Sequence, residues 1–265
     1  MKTIEVKNLV IGEGLPKICV PLIAERLEDL RRQAAAAGIS GCDLVEWRLD
    51  MLRRWTDRYF GLKRDAAMEE IAQGLAIIRE ETQVPIILTF RSADEGGFAD
   101  IRRRDYYSVI RDIIEESDPD IIDIEGIDPD NEDAIDRVEF ITNMAHENGI
   151  NVILSNHDFD KTPPTEEIVK RICVMDSMGA DVPKAAYMPK GPEDVNTVIH
   201  AAKIAADYCD KPFIAISMGR EGLPSRICSG QSGTAVTFAV ASGASAPGQI
   251  NVSDMRMLLQ EFYSE

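Results

Sequence analysis

The chain runs through two hydrophobic rhythms. At its start, Thr3 to Ile11 alternates polar and apolar residues around Lys7-Asn8, a pattern that predicts a β-hairpin. Beyond it, short β-prone runs recur at Ile18–Leu22, Leu44–Arg48, Ile86–Phe90, Ile121–Ile124, Val152–Ser155, Ala185–Tyr187, Phe213–Ser217 and Thr234–Val240. Most are separated by stretches whose apolar residues recur at helical spacing. These cover Ala24–Ala37, Asp65–Glu81, Arg103–Glu116, Glu132–Asn148, Thr165–Met178 and Asp194–Cys209. In Asp65–Glu81, for instance, Met68, Ile71, Leu75 and Ile78 share one face. A final helix follows a cap at Asn251 or Ser253.

Eight strands alternating with helices predict an α/β fold, a (β/α)8 TIM barrel with an N-terminal β-hairpin. A doubly wound open sheet is the competitor. It would carry a glycine-rich first turn, where this chain has Pro21-Leu22-Ile23-Ala24-Glu25. No Gly/Ser/Pro-rich linker divides the sequence, so residues 1–265 read as one barrel domain, with 1–14 forming the hairpin.

Charge narrows the range of partners. There are 46 acidic against 29 basic residues, a formal net charge of -17. Nucleic acid and anionic membrane are poor partners for such a surface, because both need clustered Lys and Arg. No apolar run reaches the roughly 18 residues of a membrane helix, and MKTIEVKNLV is no signal peptide, so a cytoplasmic location is expected. The five cysteines are scattered and form no C-x-x-C pair, which reads as buried thiols in a reducing compartment. No cluster has metal-ligand spacing; Asp128-Pro129-Asp130 lacks the glycine and distal glutamate of a calcium loop. Gly230-Gln231-Ser232-Gly233 lacks the spacing of a phosphate loop or nucleophile elbow.

Strand parity supplies candidate chemistry. In Leu44-Val45-Glu46-Trp47-Arg48-Leu49-Asp50, the apolar face of Val45, Trp47 and Leu49 suits helix packing, which turns Glu46 and Arg48 into the barrel. Charges are almost never buried without a partner or a task. Arg91 shares parity with Thr89, and Glu95 follows in the turn; Asp123 and Glu125 share a face, and so do Ser155 and His157. Of three histidines, His146 and His200 fall in helical stretches and read as surface residues, leaving His157 for acid–base work.

Lys184 opens an apolar run after Pro183. An exposed lysine at a strand start is the plain reading. Held in a dry barrel beside other cations, it would instead have a depressed pKa and serve as an amine nucleophile that forms imines with ketones. The loop after the seventh strand offers Arg226 as a cation for a carboxylate or phosphate, and Ala244-Ser245-Ala246-Pro247-Gly248-Gln249 reads as a small-residue lid.

Taken in order along the chain, these motifs resemble the type I 3-dehydroquinate dehydratases. The resemblance rests on Glu46-Trp47-Arg48-Leu49-Asp50, Thr89-Phe90-Arg91-Ser92-Ala93 with Glu95-Gly96-Gly97, and Ser155-Asn156-His157-Asp158-Phe159. It continues through Gly179-Ala180-Asp181-Val182-Pro183-Lys184, Ser217-Met218-Gly219, Ser225-Arg226 and Ala244-Ser245-Ala246-Pro247-Gly248-Gln249. It implies a homodimeric barrel that dehydrates 3-dehydroquinate to 3-dehydroshikimate in the shikimate pathway without metal or organic cofactor. By the same resemblance Lys184 is the imine-forming lysine, His157 the general base and acid, and Glu95 the carboxylate that orients it. Glu46, Arg48 and Arg91 match substrate-binding positions, Arg226 the carboxylate-binding arginine, and Ser245 and Gln249 the closing lid. Some relatives have a binding serine where this chain has Pro21, which offers no hydroxyl. A class I aldolase and a non-catalytic acid-binding barrel are the alternatives; the second has no need of an amine–imidazole pair. Asp123 and Glu125 receive no role beyond an interior polar network.

Overall fold

The computed structural model of the chain describes residues 3–127, 134–228, 233–241 and 250–263. Ser245 and Gln249, along with Asp128-Pro129-Asp130 and Gly230-Gln231-Ser232, lie outside the described residues.

Strands β1 (Ile4–Val6) and β2 (Leu9–Ile11) pair antiparallel as the alternation at the N-terminus predicts, with Lys7 at a left-handed φ of 52° in the turn. Eight further strands follow: β3 (Lys17–Leu22), β4 (Leu44–Arg48), β5 (Ile86–Thr89), β6 (Ile121–Glu125), β7 (Asn151–Asp158), β8 (Val182–Tyr187), β9 (Ile214–Ser217) and β10 (Val236–Phe238). They form one sheet in the order β10-β3-β4-β5-β6-β7-β8-β9, with all neighbours parallel. The remaining seam is drawn together by a parallel bridge between Phe213 and Thr234, where Ala235 N donates to Phe213 O at 2.8 Å. The result is a nearly closed (β/α)8 barrel.

The helices are α1 (Leu27–Ser40), α2 (Trp55–Tyr59), α3 (Arg64–Glu81), α4 (Arg103–Glu116), α5 (Ala134–Glu147), α6 (Thr165–Ser177), α7 (Pro192–Tyr208), α8 (Leu223–Ile227) and α9 (Val252–Tyr263). Asn251 caps α9, its Oδ1 accepting the backbone N–H of Asp254 at 2.8 Å. Among the described residues, no helix is long and apolar enough to cross a membrane.

Alternation along the strands divides the interior in two. Val45, Trp47, Leu88, Ile122, Ile124 and Leu154 join the helices in the outer core. The opposite parity builds a second cluster inside the barrel from Cys19, Leu44, Ile87, Ile121, Ile153, Val182 and Ile214, together with Ile4, Val6 and Ile11 of the hairpin. The hairpin therefore plugs the N-terminal end, and the barrel has an apolar floor. One layer up, the inward positions turn polar. Glu46, Thr89, Asp123, Ser155 and Lys184, from five consecutive strands, are all buried there.

Several boundaries differ from the sequence pattern, and three have a clear cause or consequence. Strand β7 runs three residues beyond Ser155, because Asn156 on its outer parity finds partners: its Oδ1 accepts from Arg171 Nη1 at 2.9 Å and from Tyr187 Oη at 3.0 Å. Strand β8 begins at Val182 and runs through Pro183, so Lys184 is internal to a strand. Helix α1 starts at Leu27 rather than Ala24, after an extended Arg26 (φ -143°). The short helices α2 and α8 had no periodic signal, being about one turn long.

Candidate active site

A cavity of about 360 Å³ opens above the polar layer, at the C-terminal ends of the strands. Sites in this fold lie at that end. Glu46, Arg48, Arg91, Glu95, His157, Lys184 and Arg226 all line it, so the structure brings together every described candidate from the sequence. The apolar wall comprises Phe159, Ala186, Ile216, Met218 and Phe238.

Lys184 is 5% exposed, which removes the surface-lysine reading. Its Nζ donates to Asp123 Oδ2 at 2.9 Å, reaches Glu46 Oε1 at 3.4 Å, and stands 5.1 Å from the centroid of the Phe238 ring. The expected depression of its pKa is not found. Burial does push the ammonium down, but Asp123 and then Glu46 outweigh it and the pKa rises above the ordinary lysine value. Sequence parity counted the cations around Lys184 and gave the facing carboxylates no part in its charge.

Asp123 is the residue that sequence reasoning placed but could not use. Its Oδ1 accepts from Arg91 Nη2 at 2.6 Å and from Ser155 Oγ at 2.6 Å, while Oδ2 takes Lys184. Burial opposes its charge, yet Arg91 and Lys184 hold its carboxyl well below the usual carboxylate range. Glu125 serves the next layer, accepting from Ser92 N and Ser92 Oγ, both at 2.8 Å, and pairing with Arg103. The signal in the sequence was the bare parity of Asp123 and Glu125 with Thr89 and Ser155 on neighbouring strands.

Arg91 is 3% exposed and deeply engaged. Besides Asp123, it donates through Nη1 to Ser155 Oγ at 2.9 Å and to Glu95 Oε2 at 3.2 Å. It touches the cavity but is spent largely on holding carboxylates in place. Arg48 makes a two-pronged pair with Asp50, both bonds at 2.8 Å. Asp50 also receives the backbone N–H groups of Arg91 (3.3 Å) and Phe98 (3.1 Å), which fixes the loop after β5 to the end of β4.

That loop turns back at Gly96, whose φ of 77° suits glycine and whose position leaves no room for a Cβ, which would lie 2.1 Å from the Phe159 ring. The turn delivers Glu95 beneath His157. Glu95 Oε2 lies 2.9 Å from His157 Nδ1 and accepts its backbone N–H at 3.2 Å. Burial first, then Arg91 and Lys184, keep the imidazole pKa well below its ordinary value, so the ring is neutral. With the proton on Nδ1 facing Glu95, the lone pair of Nε2 is left for another partner. Burial and Glu125 push the Glu95 carboxyl up against the opposing pull of Arg91 and Arg103. On the far wall, Arg226 of α8 donates to Gly219 O at 2.6 Å, and burial lowers its pKa.

A cavity floored by an ammonium, bounded by a neutral imidazole and flanked by arginines suits a small anionic ketone. A profile of the family described as type I 3-dehydroquinase matches residues 18–265. The chain belongs to the type I 3-dehydroquinase family. That makes it a hydro-lyase. A 3-dehydroquinate dehydratase from Listeria innocua is 39% identical over 265 residues, covering all of both chains. Another, from Alkaliphilus oremlandii, is 38% identical over 261 residues, 98% of this chain and 96% of that protein. A crystal structure of type I 3-dehydroquinate dehydratase from Clostridium difficile, with covalent modified comenic acid, superposes with a TM-score of 0.85 at 36% identity over 99% of this chain and 98% of that one. Among the described residues of this type I 3-dehydroquinase, no group of three His, Cys, Asp or Glu is arranged to hold a metal ion. Pro21 lies in β3 across from Glu46 and contributes no side-chain hydrogen bond there.

Proposed function

We propose that the chain dehydrates 3-dehydroquinate to 3-dehydroshikimate through an imine on Lys184, as a step of the shikimate pathway. The observation that carries this reading is the buried Lys184, set two residue pairs below His157 on adjacent strands: Ser155 pairs with Lys184 and His157 with Ala186. The covalent ligand in the Clostridium difficile relative supports covalent chemistry in this family.

Attack on the C3 ketone needs a neutral amine, so the ammonium proton leaves first and the Nζ–C3 bond then forms. Loss of the ketone oxygen as water gives a protonated imine, an electron sink that acidifies C2–H. His157 takes the C2 proton on Nε2, with Glu95 holding Nδ1–H. The resulting enamine expels the C1 hydroxyl, which leaves as water with the proton that His157 returns. Hydrolysis of the conjugated imine frees the product and Lys184. Arg226 and Arg48 clamp the substrate carboxylate, Glu46 and Arg91 complete the binding set, and Ser245 and Gln249, outside the described residues, are taken as further substrate contacts. The route uses no metal or organic cofactor. The same reading takes the chain as one barrel domain working as a cytoplasmic homodimer.

Two measurements test it together. Adding 3-dehydroquinate should produce the absorbance of a conjugated enone, and borohydride should leave a substrate-dependent mass adduct on Lys184. Lys184→Ala should lose both. Dehydration without an adduct would sink the imine route, and an adduct without dehydration would point to aldolase-type chemistry.

A further inference from the structure

Two of the five cysteines, set apart by 36 residues in the sequence, meet in the fold: Cys173 Sγ on α6 lies 3.7 Å from Cys209 Sγ at the end of α7. Neither is fully buried, in contrast to Cys19 and Cys42, and Cys209 lines a surface groove of about 390 Å³. We propose that Cys173 and Cys209 form a reversible disulfide clasp between α6 and α7 when the protein meets a hydroperoxide.

The geometry favours closure over separation. A disulfide needs its sulfurs about 2.05 Å apart, so they must approach by less than about 2 Å. Cys209 lies just past α7 in an extended conformation (φ -85°, ψ 140°). One residue on, the backbone N–H of Asp210 donates to Asp176 Oδ2 at 2.9 Å, which pins the segment after α7 to α6 beside the sulfur pair. The groove admits a small oxidant. In the first step the hydroperoxide O–O bond breaks, one thiol is oxidised to a sulfenic acid, and its proton goes to the departing oxygen, which leaves as the alcohol or water. In the second, the other thiol sulfur attacks the sulfenic sulfur and expels water. Two thiols are thus oxidised by two electrons, one O–O bond is reduced, and no further reagent is needed. In a reducing pool the resting form is the dithiol.

The closed loop contains β8, so the bond ties together the helices on either side of the strand that carries Lys184. Linking such a loop restricts the unfolded chain and should raise the unfolding temperature by several degrees.

The test treats the full chain with hydrogen peroxide and maps its peptides by mass spectrometry. The expected product is a Cys173–Cys209 linked peptide pair lighter by two hydrogens, reversed by dithiothreitol, with a raised unfolding temperature. Cys209→Ser, which is isosteric, should lose both the link and the thermal shift while keeping wild-type turnover as evidence that it folds. Peroxide that leaves Cys173 as sulfinic acid, or links either residue to a different cysteine, would overturn the clasp.

Discussion

Asp123 meets Lys184 at 2.9 Å inside a layer where both are almost wholly withdrawn from water. The same carboxylate holds Arg91 through its other oxygen, so one buried anion answers two buried cations. Burial lowers the lysine pKa, but Asp123 and then Glu46 outweigh it and keep the ammonium charged. The proposed nucleophile therefore rests in its protonated form, and the reaction has to remove that proton before it can begin.

Asp123→Asn should expose this arrangement. Breaking a buried ionic network by removing one partner costs about 3–5 kcal/mol, readable as a lower denaturant midpoint. The folded pKa of Lys184 is raised, so its share of stability is complete below the unfolded lysine value and is lost as pH climbs through the folded one. That of Asp123 is depressed, so its share is complete above the unfolded aspartate value and is lost as pH falls toward the folded one. The stability gap between wild type and variant should be flat between about pH 5 and 9 and shrink on both sides. Borohydride trapping in the variant should reach its plateau at lower pH than in wild type. An unchanged trapping profile would mean that Asp123 does not set the lysine's charge.

His157 has the opposite linkage. Its folded pKa is depressed, while the unfolded chain protonates it near the ordinary histidine value of about 6.5. Below that pH the unfolded state binds the extra proton, so this residue makes stability fall with acidification, by at most about 1.4 kcal/mol per pH unit. His157→Asn should show a shallower loss of stability between about pH 6.5 and 5. Its turnover should drop by roughly 10²–10⁴-fold, the range for a positioned acid–base group. A variant as acid-sensitive as wild type would indicate that the imidazole is charged in the folded state.

What the sequence made legible and what it hid follow from the physics of each feature. The barrel could be read because its strands are apolar on the outer parity and its helices periodic, so Val45 and Trp47 against Glu46 and Arg48 fixed which way β4 faces. The cluster of charges at strand ends could be read for the same reason. The sign of the Lys184 shift could not, because it depends on which of several surrounding charges is nearest, a matter of ångströms between β6 and β8. Nor could the length of β7, since a polar Asn156 ends a strand unless Arg171 and Tyr187 stand ready to bond it. The Cys173–Cys209 contact joins the middle of one helix to the end of the next, and no local motif reports such a meeting.

Gly74 offers a test of packing against propensity. It sits inside α3, where replacing glycine by alanine ordinarily favours the helix by about 0.8–1.0 kcal/mol. A Cβ there would lie 2.1 Å from Trp47 Cη2, and Trp47 is fully buried on the outer face of β4. The indole cannot withdraw without shifting the strand that carries Glu46 and Arg48. Overpacking of this kind costs about 1–3 kcal/mol, so Gly74→Ala should destabilise the protein on balance. A higher midpoint in chemical denaturation would show that α3 can move outward at little cost.

On the proposed reading, Arg226 carries more of the carboxylate clamp than Arg48. Both guanidinium groups line the cavity, but Arg48 already commits two bonds to Asp50, and that carboxylate restores the pKa that burial would lower. For Arg226 burial lowers the pKa below the ordinary arginine value. Arg226 is also the residue that matches the family's carboxylate-binding arginine, so the proposed reading gives it the larger share of the clamp. A charge-assisted hydrogen bond contributes about 1.5–3 kcal/mol, so Arg226→Ala should raise KM by roughly 10- to 100-fold, with a smaller change in kcat, since the amine and imidazole are untouched. Arg48→Ala should raise KM less but lower the unfolding midpoint more, because it strands Asp50, on which the backbone of Arg91 and Phe98 depends. Steady-state kinetics and denaturation of the two variants side by side decide the matter: a larger KM effect at Arg48 would move the carboxylate to the β4 side of the cavity.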